Sequence, residues 1–306
     1  MQKIVFRTVS GTIVTVTDVN TSKRSNGSYL PLHLIGFEGN SAGVTYEQSE
    51  RVGFSGIGIY GAKTNARTIE LDLAMLAKDG KESTMYALRS EVLQYFPPGS
   101  EGTLTYTNDS GEYQIECYVQ EYPAIERDCG VLCSTKIYLT AACPFWRKQA
   151  NDITLTADAT DSTASSISFN AATEMPVPMC AVLKCTADMT GSDTHSALIT
   201  VSGNDYGVHF GHIARSGDKS SLTRSVSSKK GELYLTEYMA ANDSFMIDWG
   251  LLGRFYIDNG KYSYVDFIKS TPQYIYPGSN TLSAKLYGTT GSLSITLRRF
   301  DYVRGV

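Results

Sequence analysis

The sequence predicts a mainly β protein of two domains, an α+β N-terminal domain over residues 1–148 and a C-terminal β-sandwich over residues 149–306. Three observations predict it. Apolar residues alternate at period two through most strand-like runs, whereas only the stretch from Asp79 to Phe96 has helical spacing. Near the middle, the run Thr135-Lys136-Ile137-Tyr138-Leu139-Thr140 leads into Cys143-Pro144-Phe145-Trp146-Arg147. A proline ends a β-branched run there, and two large aromatics must then find a pocket. From Asn151 to Ala172 the composition changes to Asp, Thr, Ser and Ala, which favours exposed strands and turns. A chain of 306 residues also suits two units of about 150 residues, each long enough to bury a core.

In the first half, Ile13 to Val19 and Ile69 to Met75 alternate as half-buried strands. Met85, Leu88, Val92 and Tyr95 then fall on one helical face, Asp79 and Glu82 have the spacing of a capping box, and Pro97-Pro98-Gly99 stops the helix. Gly102 to Tyr106 and Glu112 to Val119 form two strands joined by the hairpin signal Asn108-Asp109-Ser110-Gly111. Thr135 to Thr140 closes the domain. Strands, one helix, then strands indicate an α+β arrangement with a predominantly antiparallel sheet.

The second half offers only strands: Met179 to Cys185, Ala197 to Val201, Gly231 to Tyr238, Ser244 to Trp249, Arg254 to Ile257, Tyr262 to Phe267 and Ser292 to Arg299. Asp258-Asn259-Gly260 reads as a type I′ turn, because Asn and Gly tolerate positive φ. Ser162 to Ser168 and Ser216 to Lys230 read as loops. Regularly spaced strands without helices indicate a β-sandwich.

Composition narrows the function. With 42% hydrophobic and 19% charged residues the chain is globular, and its 20 tyrosines suit strands with extensive contacts. The net charge is -4, and basic doublets such as Lys229-Lys230 and Arg298-Arg299 stand isolated among scattered cations, so no specific nucleic-acid binding is expected. The N-terminus lacks a signal-like apolar stretch and no segment has the apolar length of a membrane span, which predicts a soluble chain made in a cytoplasm and without a membrane partner. The six cysteines lack paired knuckle spacing. Cys117, Cys129, Cys133 and Cys143 could be combined as metal ligands, but these and Cys180 and Cys185 read better as small, reduced, buried thiols.

Several motifs occur in an order that resembles phage distal tail proteins, the Dit or siphovirus tail component family. They are Leu34-Ile35-Gly36-Phe37, Glu47-Gln48-Ser49, Gly53-Phe54, Arg67-Thr68-Ile69-Glu70-Leu71, a helix, and Cys143-Pro144-Phe145-Trp146. Tyr276-Pro277-Gly278-Ser279-Asn280-Thr281-Leu282, the strand Ile295 to Arg299 and the closing Tyr302-Val303-Arg304-Gly305-Val306 resemble that family's second half, while Asp158 to Lys230 carry no part of the likeness. The resemblance implies a split β-barrel-like N-terminal domain with one helix and an extended hairpin, and a C-terminal galectin-like or carbohydrate-module-like sandwich. It also implies a structural role. The protein would be a homo-oligomer, a hexameric ring around the DNA channel at the virion tail tip. That ring would join the tail-tube protein to the tail-associated hub protein and could carry a receptor-binding protein. A net negative chain is compatible with a channel that does not grip DNA.

Chemistry finds few candidates, and no catalytic, cofactor-binding or metal site is assigned. His209 and His212 alternate with apolar residues but have no carboxylate in their run. Glu70 with Asp72, and Asp243 with Asp248, are carboxylate pairs that read as solvated strand faces. The Gly-rich run from Gly53 to Gly58 lacks the strand-to-helix context of a dinucleotide loop. Trp146 reads as a buried plug between domains and Trp249 as sandwich core. The alternative function is glycan binding by the Tyr-rich sandwich, with Tyr262 and Tyr264 on one strand face as first candidates.

Overall fold

The computed structural model describes residues 1–39, 42–50, 57–160, 163–205, 214–215, 222–223, 227–250, 256–257, 262–288 and 290–306. It divides the chain into two units, Met1–Lys148 with Val303–Val306, and Gln149–Tyr302. The last four residues thus belong with the first unit, whereas the sequence boundary put all of 149–306 in the second.

The first unit contains β1 (Lys3–Thr8), β2 (Ile13–Thr17), β3 (Leu32–Glu38), β4 (Val44–Glu50), β5 (Ile57–Thr64), β6 (Arg67–Leu76), α1 (Glu82–Tyr95), β7 (Glu101–Asn108), β8 (Gly111–Val119), β9 (Ala124–Cys129), β10 (Leu132–Ala141) and β11 (Trp146–Gln149). Seven strands run in the order β8-β7-β1-β2-β3-β6-β10, and β10 pairs back onto β8 at Leu139 with Val119 and Thr140 with Tyr118, closing a barrel. Only β2 and β3 pair in parallel; the other barrel pairings are antiparallel. Every second residue of β6, Arg67, Ile69, Leu71, Leu73 and Met75, is buried, which is the alternation a barrel with one wet face requires.

The helix buries Met85, Leu88, Val92 and Tyr95 in the barrel core, and the following Phe96 stacks on Phe6 with ring centroids 5.2 Å apart. The capping box is not made. Lys81 occupies the N-cap without a side-chain bond, and Asp79 instead accepts from the Lys81 N–H at 3.1 Å and the Thr84 hydroxyl at 2.7 Å. The carboxylate sits two residues before the N-cap, too early to reach the helix's free N–H groups, and caps the approach to it. The β7–β8 turn forms where expected, with the Asn108 side chain accepting from the Ser110 N–H and Asn108 opposite Gly111.

The second unit contains β12 (Ile153–Asp158), β13 (Ser165–Ala171), β14 (Val177–Pro178), β15 (Cys180–Thr190), β16 (Ala197–Asp205), β17 (Ala214–Arg215), β18 (Leu222–Thr223), β19 (Ser227–Leu235), β20 (Ser244–Asp248), β21 (Tyr256–Ile257), β22 (Tyr274–Ile275), β23 (Gly278–Leu286) and β24 (Thr290–Arg298), followed by β25 (Phe300–Val303). Two antiparallel sheets, β12-β24-β15-β20-β21 and β13-β23-β16-β19, enclose one core that includes Leu183, Ile199, Leu233, Phe245, Leu282 and Ile295. This is a sandwich, and the described residues of the unit contain no α-helix.

Three local expectations change. Ser165 to Ser168, within the stretch taken as loop, begin β13, which pairs along its length with β23. Ser227 to Lys230, taken as loop, begins β19. Tyr262–Tyr264, taken as strand, is a 3-10 turn, and Asp258-Asn259-Gly260 lies outside the described residues. The Pro-Gly-x-Asn segment has a clear physical basis. The buried Asn280 side chain accepts from the Tyr276 N–H at 2.8 Å and donates to the carbonyls of Tyr276 at 2.7 Å and Gly278 at 2.9 Å, with Gly278 at φ +85°. One amide thus satisfies three backbone groups of a turn whose conformation favours glycine.

Candidate assembly interface

The β4–β5 hairpin leaves the barrel between β3 and β6. Its strands pair with each other from Val44 opposite Thr64 to Glu50 opposite Ile57, and among the described residues neither pairs with any further strand. Both outer edges therefore present unpaired backbone groups, the feature by which strands add across subunits. Val44 and Tyr46, two residues apart on β4, are about half exposed, at 45% and 48%.

The hairpin root is held by a buried cation. Arg67, first residue of β6 and 1% exposed, donates from Nε to the Pro144 carbonyl at 2.6 Å, from Nη1 to the Gly39 carbonyl and from Nη2 to the Arg304 carbonyl. Gly39 precedes β4, Pro144 lies in the Cys-Pro-Phe-Trp run, and Arg304 is in the C-terminal tail, so one planar fork ties three irregular segments. Burial lowers the affinity of this guanidinium for its proton, but an arginine remains charged, and the carbonyl oxygens supply the compensation. Trp146 donates to the same Gly39 carbonyl at 3.4 Å and packs beside Phe37, which stacks on Tyr106 at 4.2 Å. Trp146 is thus part of the first unit's own core, not a plug between domains.

The carboxylates Glu70 and Asp72 do share a face of β6, but across the ladder both meet Lys136 of β10; its ammonium bonds Glu70 and lies 3.5 Å from Asp72 Oδ1. The hydrogen bond to Glu70 raises the lysine's pKa, which describes a stable ion pair on an outer face and not an acid–base couple. Asp243 and Asp248 flank opposite ends of β20, and Asp248 accepts from the Gly250 N–H. The described residues contain no metal-holding group of His, Cys, Asp and Glu. His209, His212 and Gly53 to Gly56 lie outside the described residues.

Five described cysteines, Cys117, Cys133, Cys143, Cys180 and Cys185, are free thiols. Burial pushes Cys117 up to about 12 and Cys180 up to about 11, far from the range of a reactive thiolate. The glycan candidates are not brought together. Tyr262 and Tyr264 sit in a 3-10 turn, where residues two apart point in different directions; Tyr262 is exposed, and Tyr264 packs edge-on against Phe245 at 5.6 Å. Trp249 packs at the margin of the sandwich core and is only partly buried.

Sequence reasoning missed the role of Arg67, because all three of its partners are backbone carbonyls far along the chain. A charged residue at a period-two buried position of an otherwise apolar strand was the available signal.

Comparison with known proteins gives these geometries a setting. Residues 25–128 match the phage tail protein RIFT-related domain, the stretch from just before β3 through most of β9. No curated protein matches the chain. Among solved structures, the SPP1 Dit protein, described as a paradigm of the hub adsorption apparatus in phages infecting Gram-positive hosts, aligns over 98% of this chain and 99% of its own at 13% identity and a TM-score of 0.59. A chain of the phage P2 baseplate in its calcium-activated conformation aligns over the full length of both at 9% identity and a TM-score of 0.52. Residues 25–128 thus match a phage tail RIFT-related domain, and the chain as a whole has the fold of the distal tail protein Dit.

Proposed function

We propose that this chain is the structural distal tail protein of a long-tailed bacteriophage. Six copies form a ring around the DNA channel at the virion tail tip, after assembly in the host cytoplasm. The ring joins the tail-tube protein on one side to the tail-associated hub protein and the adsorption machinery on the other, and the sandwich unit offers an attachment point for a receptor-binding protein. The observation that carries this reading is the phage tail domain match over residues 25–128, in a chain that follows the Dit fold from end to end.

The geometry supports a part made for assembly. The open strand edges of the β4–β5 hairpin are the edges we assign to contacts between copies, and Arg67 fixes the hairpin root to the barrel. A ring needs a heterologous contact that closes, with one surface meeting a different one on the next copy. Negative-stain images of the purified protein are expected to show annular particles with sixfold class averages. Particles without a central hole would overturn the ring.

A further inference from the structure

We propose that the tip of the β2–β3 loop is a modification site, Asn26-Gly27, at which the chain forms isoaspartate without an enzyme and so loosens the loop from α1. Asn26 is the only asparagine among the described residues that a glycine follows, and both residues stand exposed at the tip. Gly27 has φ +80°, and no atom lies within 4 Å of the place a Cβ would take on it, so the nitrogen next to Asn26 is sterically open.

The fold prepares the electrophile. Asn26 Oδ1 accepts from the Ser28 N–H at 3.0 Å and from the Ser28 hydroxyl at 2.7 Å. Two donors converging on one carbonyl oxygen draw electron density from its carbon and stabilise the oxyanion formed on attack. The Gly27 nitrogen gives its proton to hydroxide and attacks Cγ of Asn26. An N–Cγ bond forms, the Cγ–Nδ2 bond breaks, and Nδ2 takes a proton from water and leaves as ammonia, giving a cyclic succinimide. Water then opens the ring. Addition at Cγ gives aspartate; addition at the main-chain carbonyl of Asn26 breaks its bond to the Gly27 nitrogen and gives isoaspartate. The Gly27 N–H also donates to the Arg24 carbonyl at 2.9 Å, so attack waits on the opening of that bond and the reaction is slow.

The consequence follows from what the tip joins. The Arg24 N–H donates to the Ser28 carbonyl at 2.9 Å, and Lys23 faces Tyr29 in a single antiparallel bridge. Arg24 also grips Glu91 of α1, with Nε on Oε1 at 2.6 Å and Nη2 on Oε2 at 3.0 Å, and Ser25 Oγ accepts from the Ile13 N–H of β2 at 3.0 Å. Isoaspartate lengthens the backbone by one carbon between Arg24 and Ser28. The two sides of the tip then lose register, and the bidentate seat of Arg24 on Glu91, which depends on a fixed geometry, is disturbed.

The test incubates the full chain in warm, mildly alkaline buffer and maps it by tryptic digestion and mass spectrometry, with isoaspartate identified from its fragment ions. The peptide that begins at Ser25 is expected to gain isoaspartate at position 26 ahead of every other described asparagine. S28A removes one of the two donors to Oδ1 at an exposed position and is expected to slow the reaction about fivefold in the folded chain. In the urea-unfolded chain, where the turn is not held, S28A is expected to change nothing. The isoaspartate form, separated by charge, is expected to unfold at a lower urea midpoint than the unmodified protein. No isoaspartate at position 26, an S28A rate equal to wild type in the folded chain, or equal slowing in folded and unfolded chains would overturn the site. An unchanged midpoint would overturn the loosening of the loop.

Discussion

Arg67 makes the strongest single claim at the scale of residues. Replacing it with Met keeps an apolar stem but removes the guanidinium donors from the carbonyls of Gly39, Pro144 and Arg304 in a buried setting. R67M is expected to lower stability by about 2–4 kcal/mol, read as a shift in the urea midpoint. R67K should recover only part of the loss, since one ammonium lacks the planar fork that meets three acceptors. Wild-type stability in R67M would contradict the role. Cys117 makes a second claim. Its pKa is raised by burial to about 12 in the fold, from an ordinary value of 9.0. The folded state keeps the proton while the unfolded chain releases it, so the contribution is fully present below pH 9 and is lost as pH rises towards 12. The slope attributable to this group is at most about 1.4 kcal/mol per pH unit. C117A is expected to flatten the fall in denaturant stability between pH 9 and 11; an unchanged slope would contradict the assignment.

At the scale of elements, the Asn280 turn is the sharpest test. N280A removes a side chain that bonds the backbone of Tyr276 and Gly278 and is expected to destabilise the sandwich by about 2 kcal/mol, measured by chemical denaturation. The elements differ in how legible they were. The alternation in β6 and β10 was plain because each buries one face and wets the other. The seven-strand closure was not, since the β8–β10 contact that completes it involves two residue pairs and leaves no mark on either strand's pattern. Residues 262–267 looked like a strand because tyrosines alternate there. They instead follow β19 irregularly, the Asp266 side chain turning the chain through the N–H groups of Ile268 and Lys269 and bonding His195 at 2.9 Å. In β9 the order Ala-Ile-Glu-Arg-Asp-Cys has no period-two apolar face to read.

For the whole molecule, the sequence order of weak motifs carried more than any one of them, because each is fixed by a different local demand. Arg67 serves the hairpin root, Trp146 the barrel core and Asn280 a turn in the sandwich, so their co-occurrence in one order reports a shared architecture. That architecture has open strand edges on the hairpin, which in the proposed function join copies into a closed ring. The most direct measurement of that claim is the molar mass of the native protein by light scattering after size exclusion. A hexameric ring is expected to weigh six times the 33.5 kDa of the chain, or twice that if two rings stack. A monomer at every concentration would contradict it.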